Sequence, residues 1–217
     1  MTPTITTLQW VPPFARGHVR DVRARWACEE IGVPYAVDLV ANPKTAEHRH
    51  FQPFGQVPTY RDDDVELFES GAIVLHIARQ APGLLPADAA GRARAEQWLI
   101  AALNSVERFV MDLVVVDAFQ ADKPWSAQRR PSVVETLRGR LAGLADALGD
   151  KPYLDGHFSV GDLVMACVLR DVPRDEILAD YPNLLAYLDR CTARPAFRKA
   201  LADQLALYDP AEEGAMS

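Results

Sequence analysis

A chain of 217 residues, 49% apolar and 24% charged, is long enough to bury a real core as one large domain or two smaller ones. Its net charge of −7 argues against nucleic acid or an anionic membrane as the main partner, and no apolar run approaches the roughly 18 residues that a bilayer span requires. Three widely spaced cysteines, Cys28, Cys167 and Cys191, suit neither a disulfide framework nor a zinc cluster.

In chain order, Thr4–Trp10 is a Thr-rich, β-prone run and reads as a first strand. Residues 11–17, VPPFARG, form a loop by their prolines and glycine. From His18 to Ile31, Val19, Val22, Trp26, Ala27 and Ile31 follow a helical period, and Gly32 with Pro34 supplies the stop. Tyr35–Val40 reads as a second strand. Strand, helix and strand within residues 4–40 make a βαβ unit, so these two strands should be parallel. Asn42–His50 is polar, a short or irregular helix at best. The stretch from Gln52 to Gln80 then reads as a loop with Gly55, a Val57-Pro58-Thr59 turn into a third strand and a charged turn, Arg61–Asp64. A fourth strand, Val65–Phe68, leads into a helix opening at Glu69-Ser70. This βαβ-ββα order is that of a thioredoxin-like α/β domain.

Ala81–Pro86 (APGLLP) is a linker by composition, and everything after it is helical. Ala95, Trp98, Leu99, Ala102, Leu103, Val106, Phe109, Val110 and Leu113 keep a 3.6-residue period. Val114-Val115-Val116 is apolar all round and suggests burial or a wall facing the other domain. Ala118–Arg130 reads as a polar connection containing Pro124-Trp125. A second long helix follows, with Val134, Leu137, Leu141, Leu144 and Leu148 on one face. Ser159 and Asp162 have N-cap and N3 spacing, a capping box with Asp in place of Glu, opening an apolar helix that Pro173 ends. Tyr181-Pro182 and Arg194-Pro195 mark two final helices, and Pro210–Ser217 reads as a frayed tail. The expected domains are residues 1–81 (thioredoxin-like) and 92–217 (all helical), joined by a linker at 82–91. The first ten residues carry neither a charged nor an apolar signal region, which makes the cytoplasm the expected compartment.

Three motifs in this order, residues 52–80 (QPFGQVPTYRDDDVELFESGAIVLHIARQ), 158–163 (FSVGDL) and the proline-led helices at 182 and 195, resemble the glutathione S-transferase superfamily along nearly the whole chain. The resemblance implies a thioredoxin-like glutathione-binding domain followed by an all-α domain, with glutathione as co-substrate and no metal. It implies a cis bond between Val57 and Pro58, which turns the Val57 backbone toward the cysteinyl backbone of glutathione. Glu69 and Ser70 match the pair that holds the γ-glutamyl end. Gln56 stands where the family often has Lys or Gln near the glycyl carboxylate, and His50 and Gln52 are unranked candidates. Chemically, Ser70 at a helix start offers a hydroxyl, free N–H groups and the positive end of a dipole to a carboxylate; as a plain N-cap it would do no more than close the helix.

Conjugation needs a glutathione thiolate, and a free thiol with a pKa near about 8.5 is mostly protonated at neutral pH. The family places a Tyr, Ser or Cys between the first strand and first helix. This chain has none there, since its first Ser is Ser70 and its first Tyr is Tyr35. Pro12 or Arg16 falls at the Ser position, according to how the loop is aligned. Arg16 is therefore the candidate for stabilising the thiolate, by its charge and N–H donors, with help from the backbone N–H groups at Arg16 and Gly17. A solvated surface Arg is the competing reading. His18 is a second candidate, as base or donor. Cys28, inside the first helix, reads as a buried structural thiol. An apolar pocket for the second substrate is expected from Trp10, Phe14, Phe109, Met111 and Trp125. Aromatic and Met residues at helical spacing serve equally as plain core.

His48-x-His50 brings no convergent acids, and Asp62–Asp64 looks like a turn, so neither reads as a metal site. No G-x-G-x-x-G, Walker loop or Cys-x-x-Cys occurs. The resemblance thus implies an enzyme that joins glutathione to a small hydrophobic electrophile or uses it to reduce peroxides, and that forms a homodimer. The alternative from a different class is a non-catalytic member of the fold that acts as a binding or interaction module.

Overall fold

The structure, a computed structural model, describes residues 2–208; the expected frayed tail at 210–217 lies outside the described residues. The chain divides into two compact units. One comprises Met1–Leu84 together with Arg194–Ser217, and the other Leu85–Ala193.

The first unit is built on a four-stranded mixed sheet with the order β2-β1-β3-β4. β1 (Thr4–Leu8) runs parallel to β2 (Ala36–Val40), with Ile5 opposite Val37. β3 (Thr59–Arg61) and β4 (Glu66–Phe68) complete it antiparallel, with Tyr60 opposite both Ile5 and Leu67. β1 stops at Leu8, short of the expected Trp10. Its parallel partner ends at Val40, whose carbonyl accepts from the Gln9 N–H at 3.0 Å, and Trp10 is left 62% exposed.

Helix α1 (Asp21–Ile31) begins three residues later than the periodicity predicts: residues 18–20, which follow Gly17 at φ +80°, form turns, with the Val22 N–H on the Val19 carbonyl at 3.2 Å. Gly32 ends it at φ +71°, with its N–H on the Cys28 carbonyl, the stop the sequence predicts. α1 is buried from Asp21 to Cys28, with α3 (Ser70–Ala78) packed along it. The polar stretch before β3 forms the short helix α2 (Ala46–Phe51), with Thr45 accepting the His48 N–H.

The last helix, α9 (Pro195–Leu205), belongs to this unit rather than to the helical one. Phe197 meets Trp26 of α1 edge-on with ring centroids 4.7 Å apart, and Arg194 forks onto Glu30 at 2.6 and 2.7 Å. The Gln204 side-chain amide donates to Asp21 at 2.6 Å and to the Val19 carbonyl at 3.0 Å. Tyr208 donates to the Leu8 carbonyl at the end of β1. Residues 195–208 thus pack against α1 and the end of β1.

In the second unit, α4 (Ala89–Ala101) continues through a π-helical stretch, Ala102–Glu107, into α5 (Arg108–Val114) and a further π turn, Val115–Phe119. Of the periodic positions, Ala95, Leu99, Ala102, Val106, Val110 and Leu113 form the buried stripe; Val116 is the one fully buried residue of the valine run. Helix α6 runs from Pro124 to Leu148, so the stretch at 124–130, expected to be a connection, is helix. Pro124 sits at N1, where no N–H is needed, and Ser126 donates to the Gln120 carbonyl at 2.5 Å. Pro131 removes an interior hydrogen bond but does not end the helix, and Ser132 donates back to the Arg129 carbonyl at 2.9 Å. The buried face of α6 uses Val133 in place of the expected Val134, with Leu137, Leu141, Leu144 and Leu148 as predicted.

Helix α7 (Val160–Leu169) is buried at all ten residues and forms the centre of this unit, against α4 on one side and α8 (Pro182–Thr192) on another. Its capping box is present: Ser159 accepts from the Gly161 N–H, and Asp162 accepts from the Ser159 N–H at 3.0 Å. Among the described residues no helix is long and apolar enough to cross a membrane.

Candidate functional site

The Val57-Pro58 bond is cis. Residues on both sides of it are tied down by side chains. Upstream, buried Gln52 accepts the Gln56 N–H at 3.2 Å, and His48 Nε2 contacts the Gln56 carbonyl at 2.6 Å. Downstream, the Thr59 N–H donates to Thr6 Oγ1 at 2.7 Å, and the two threonine hydroxyls meet at 3.0 Å. Between these braces the Val57 N–H and C=O have no hydrogen-bond partner among the described residues. An unpaired backbone pair on a fixed segment is what an extended peptide needs to add itself as a strand.

The β3–β4 turn is latched to α3 through Asp62. One carboxylate oxygen accepts the Asp64 and Val65 N–H groups, each at 2.9 Å; the other takes the Tyr60 hydroxyl at 2.9 Å and His76 Nε2 at 2.8 Å. Burial alone would raise its pKa, but these hydrogen bonds, with His76 first, outweigh it and hold the carboxyl well below the usual range. The Asp62–Asp64 run is a turn, as its sequence suggests. Among the described residues no group of three or more His, Cys, Asp or Glu side chains converges. His48 and His50, two apart on α2, point differently: His48 reaches Gln56, while His50 stacks edge-on against Phe51.

Ser70 is the first residue of α3, preceded by Glu69 at φ +70°, the one non-glycine in the left-handed region among the described residues. The Glu69 side chain is exposed and does not cap the helix, so the opening N–H groups of α3 and the positive end of its dipole are open to an anion. Ser70 is buried, and its hydroxyl accepts from Nη1 of Arg23, itself buried in α1, at 3.1 Å. This unit therefore brings together Gln56, Val57, Pro58, Glu69 and Ser70 as two short segments flanking β3 and β4.

The loop between β1 and α1 departs from expectation in one respect. A turn of 3-10 helix at Pro13–Ala15 uses up several backbone donors: Arg16 N–H goes to the Pro13 carbonyl at 3.3 Å and His18 N–H to Ala15 at 3.0 Å. Arg16 and Gly17 also lie ahead of the first turn of α1, not within it. The Arg16 N–H is thus not available to a thiolate. The Arg16 side chain is half-buried and that of His18 exposed. Trp10 and Phe14 are exposed, at 62% and 52%. In the second unit Phe109 and Met111 are half-buried, and the face of Phe109 is covered by the guanidinium of Arg140 at 4.3 Å, with Arg108 at 5.3 Å. Trp125 is 40% exposed in the first turn of α6. Burial, with the Glu29 charge adding to it, pushes the Cys28 thiol up to about 12, which leaves it inert at neutral pH.

Sequence reasoning missed Arg23 and Thr6 and left Gln52 unranked. The signal for Arg23 was present: an arginine flanked by Val22 and Trp26 inside a helix whose neighbours are apolar has little access to water.

Residues 14–79 match the family model for the glutathione S-transferase N-terminal domain, and residues 89–190 match that for the C-terminal domain. Glutathione S-transferase 3 of Zea mays is 31% identical over 83% of this chain and 88% of its own length. Among solved structures, a theta class glutathione S-transferase from Xanthomonas axonopodis pv. citri with glutathione bound is 29% identical, with TM-score 0.76 over 92% of this chain and 97% of that one. A glutathione transferase from Burkholderia graminis, with two glutathione molecules bound per subunit, is 25% identical with TM-score 0.81 over 92% and 87% of the two chains.

Proposed function

The chain belongs to the glutathione S-transferase superfamily, and from that membership we propose that it is an enzyme using glutathione as co-substrate. The observation that carries the reading is the open Val57 backbone beside the cis Pro58, held in one unit with Ser70 at the uncapped start of α3. The Val57 N–H and C=O pair with the cysteinyl backbone of glutathione. Ser70, Glu69 and the α3 N-terminus take the γ-glutamyl end, and Gln56 lies toward the glycyl carboxylate.

The thiol loses its proton, and the Arg16 guanidinium, the Gly17 N–H and His18 stabilise the thiolate by charge and hydrogen bonds in place of the absent hydroxyl. The thiol proton passes to solvent, and the sulfur attacks an electrophilic carbon to form a C–S bond. A leaving group departs with the bonding pair or, at a conjugated double bond, the π pair moves to the neighbouring atom and takes up a proton. With a hydroperoxide, two glutathione molecules supply the electrons and leave as disulfide, with alcohol and water as the other products. The electrophile is small and hydrophobic, in keeping with the exposed rings of Trp10 and Phe14 on the β1–α1 loop. The protein works as a homodimer in the cytoplasm, with no metal, nucleic acid or membrane required.

The test is calorimetric titration with glutathione, wild type beside Ser70→Ala, with the thiol pKa of the complex followed by thiolate absorbance. Binding that weakens about ten-fold in the variant, with a bound thiol pKa well below about 8.5, is the expected result. Binding with an unshifted pKa removes the thiolate mechanism. No binding at millimolar glutathione removes the enzyme and leaves an interaction module of the same fold.

A further inference from the structure

A serine hydroxyl can both donate and accept, and the contact made by Ser70 decides between the two. A guanidinium carries N–H donors and no acceptor, so at 3.1 Å from Arg23 Nη1 the Ser70 oxygen accepts and its proton is left for another partner. The pair is sheltered, with 3% of Arg23 and 6% of Ser70 exposed, so water competes little for the contact. A cation on the oxygen also polarises the hydroxyl and strengthens it as a donor. Arg25, two residues along α1, is engaged elsewhere, with its Nε on the Asp21 carboxylate at 2.6 Å.

We infer that Arg23 is a positioning residue of the glutathione site: it fixes the Ser70 hydroxyl as a donor toward the α-carboxylate of the γ-glutamyl group. It thereby sets the preference for γ-glutamyl thiols over thiols lacking that carboxylate. This rests on the assignment of Ser70 to the γ-glutamyl end. A guanidinium that merely ties α1 to α3 would hold the fold together without discriminating between ligands.

The discriminating pair of ligands is glutathione and 4-aminobutanoyl-cysteinyl-glycine, which lacks only the α-carboxylate. Dissociation constants for both are measured by calorimetry on wild type, Arg23→Met, Arg23→Lys, Ser70→Ala and the Arg23→Met/Ser70→Ala double variant. Wild type is expected to prefer glutathione by about ten-fold or more, the range of a hydrogen bond to a charged group. Arg23→Met is expected to reduce that preference to about two-fold while leaving the affinity for the analogue nearly unchanged. Arg23→Lys, which keeps a donor-only cation, should retain most of the preference, and in the Ser70→Ala background Arg23→Met should lower it no further. Equal weakening of both ligands in Arg23→Met, or an unchanged preference, overturns the inference. If Arg23→Met does not fold, a folded Arg23→Lys that has lost the preference overturns it instead. A wild type that binds neither thiol overturns the glutathione reading itself, a result distinct from any of these.

Discussion

Removing the Asp162 carboxylate should be among the most damaging single changes in the helical unit. Asp162 is fully buried and accepts hydrogen bonds from the Leu154 N–H at 2.9 Å, the Ser159 N–H at 3.0 Å, the Ser159 hydroxyl at 3.1 Å and the Tyr187 hydroxyl at 3.0 Å. In Asp162→Ala the hydroxyls can turn to other acceptors; Tyr187 already lies 3.4 Å from the Asp162 carbonyl. The two backbone N–H groups cannot turn. Each buried donor left without a partner costs about 1–3 kcal/mol, the Ser159 N–H being the capping-box bond itself. The sum is about 4 kcal/mol, against a total stability of roughly 5–15 kcal/mol for a typical domain. Burial raises the Asp162 pKa while its donors lower it, so part of the gain from those bonds is already spent on desolvation. Urea unfolding at neutral pH, followed by circular dichroism, should show a lower midpoint at an unchanged slope. Tyr187→Phe should cost about 1 kcal/mol alone and clearly less in the Asp162→Ala background. A loss below about 1 kcal/mol for Asp162→Ala, or additive costs in the double variant, would refute the network as the anchor of α7.

Gly161→Ala should destabilise although alanine is the better helix former by about 1 kcal/mol, because the new Cβ would lie 2.5 Å from Trp98 Cβ and 3.1 Å from the Ala95 carbonyl. A net loss of about 1–2 kcal/mol, read as a lower melting temperature, is expected, and a rise would show that α4 and α7 can separate freely. For Asp62 the folded pKa is depressed, so at acid pH the unfolded chain binds more protons. Stability therefore climbs with pH up to about 4 and is lost as pH falls toward the folded value. Asp62→Asn should be less stable above about pH 4 and lose that acid slope, and parallel pH profiles for variant and wild type would contradict the latch. Phe197→Ala removes a ring that is 3% exposed against Trp26 and should cost about 3–5 kcal/mol. Hydrogen exchange at residues 195–205 should accelerate with it; unchanged protection there would mean that the polar ties of Arg194 and Gln204 hold α9 without the ring.

What was legible in the sequence was written in short-range chemistry. Pro182 and Pro195 start their helices at N1, Ser159 and Asp162 cap α7, and Gly32 stops α1 in a left-handed conformation. Each signal acts within about one turn of its own residue, so no knowledge of the fold is needed to read it. The parallel pairing of β1 with β2 followed in the same way from the length of the connection between them. The candidate site residues 56–58 and 69–70 came from the order of a motif rather than from periodicity, and the structure supplied what holds those segments in place. Those supports are distant in sequence: Thr6 braces Thr59, and Arg23 reaches Ser70. The misreadings have the same origin. Polar residues at 124–130 with Pro131 just beyond look like a connection, yet a helix needs only one apolar face, and α6 runs through Pro131 without ending.

The sequence by itself therefore determined the elements, their caps and the order in which they follow. Tertiary structure decided that residues 195–208 return to the first unit, meeting α1 through Phe197 and Gln204 and the end of β1 through Tyr208. It also decided that polar side chains of α1 are buried, with Arg23 turned to Ser70 and Asp21 met by Gln204. The physical reason is that a buried polar group must find a partner wherever the fold brings one within about 3 Å, and that partner has no fixed distance along the chain.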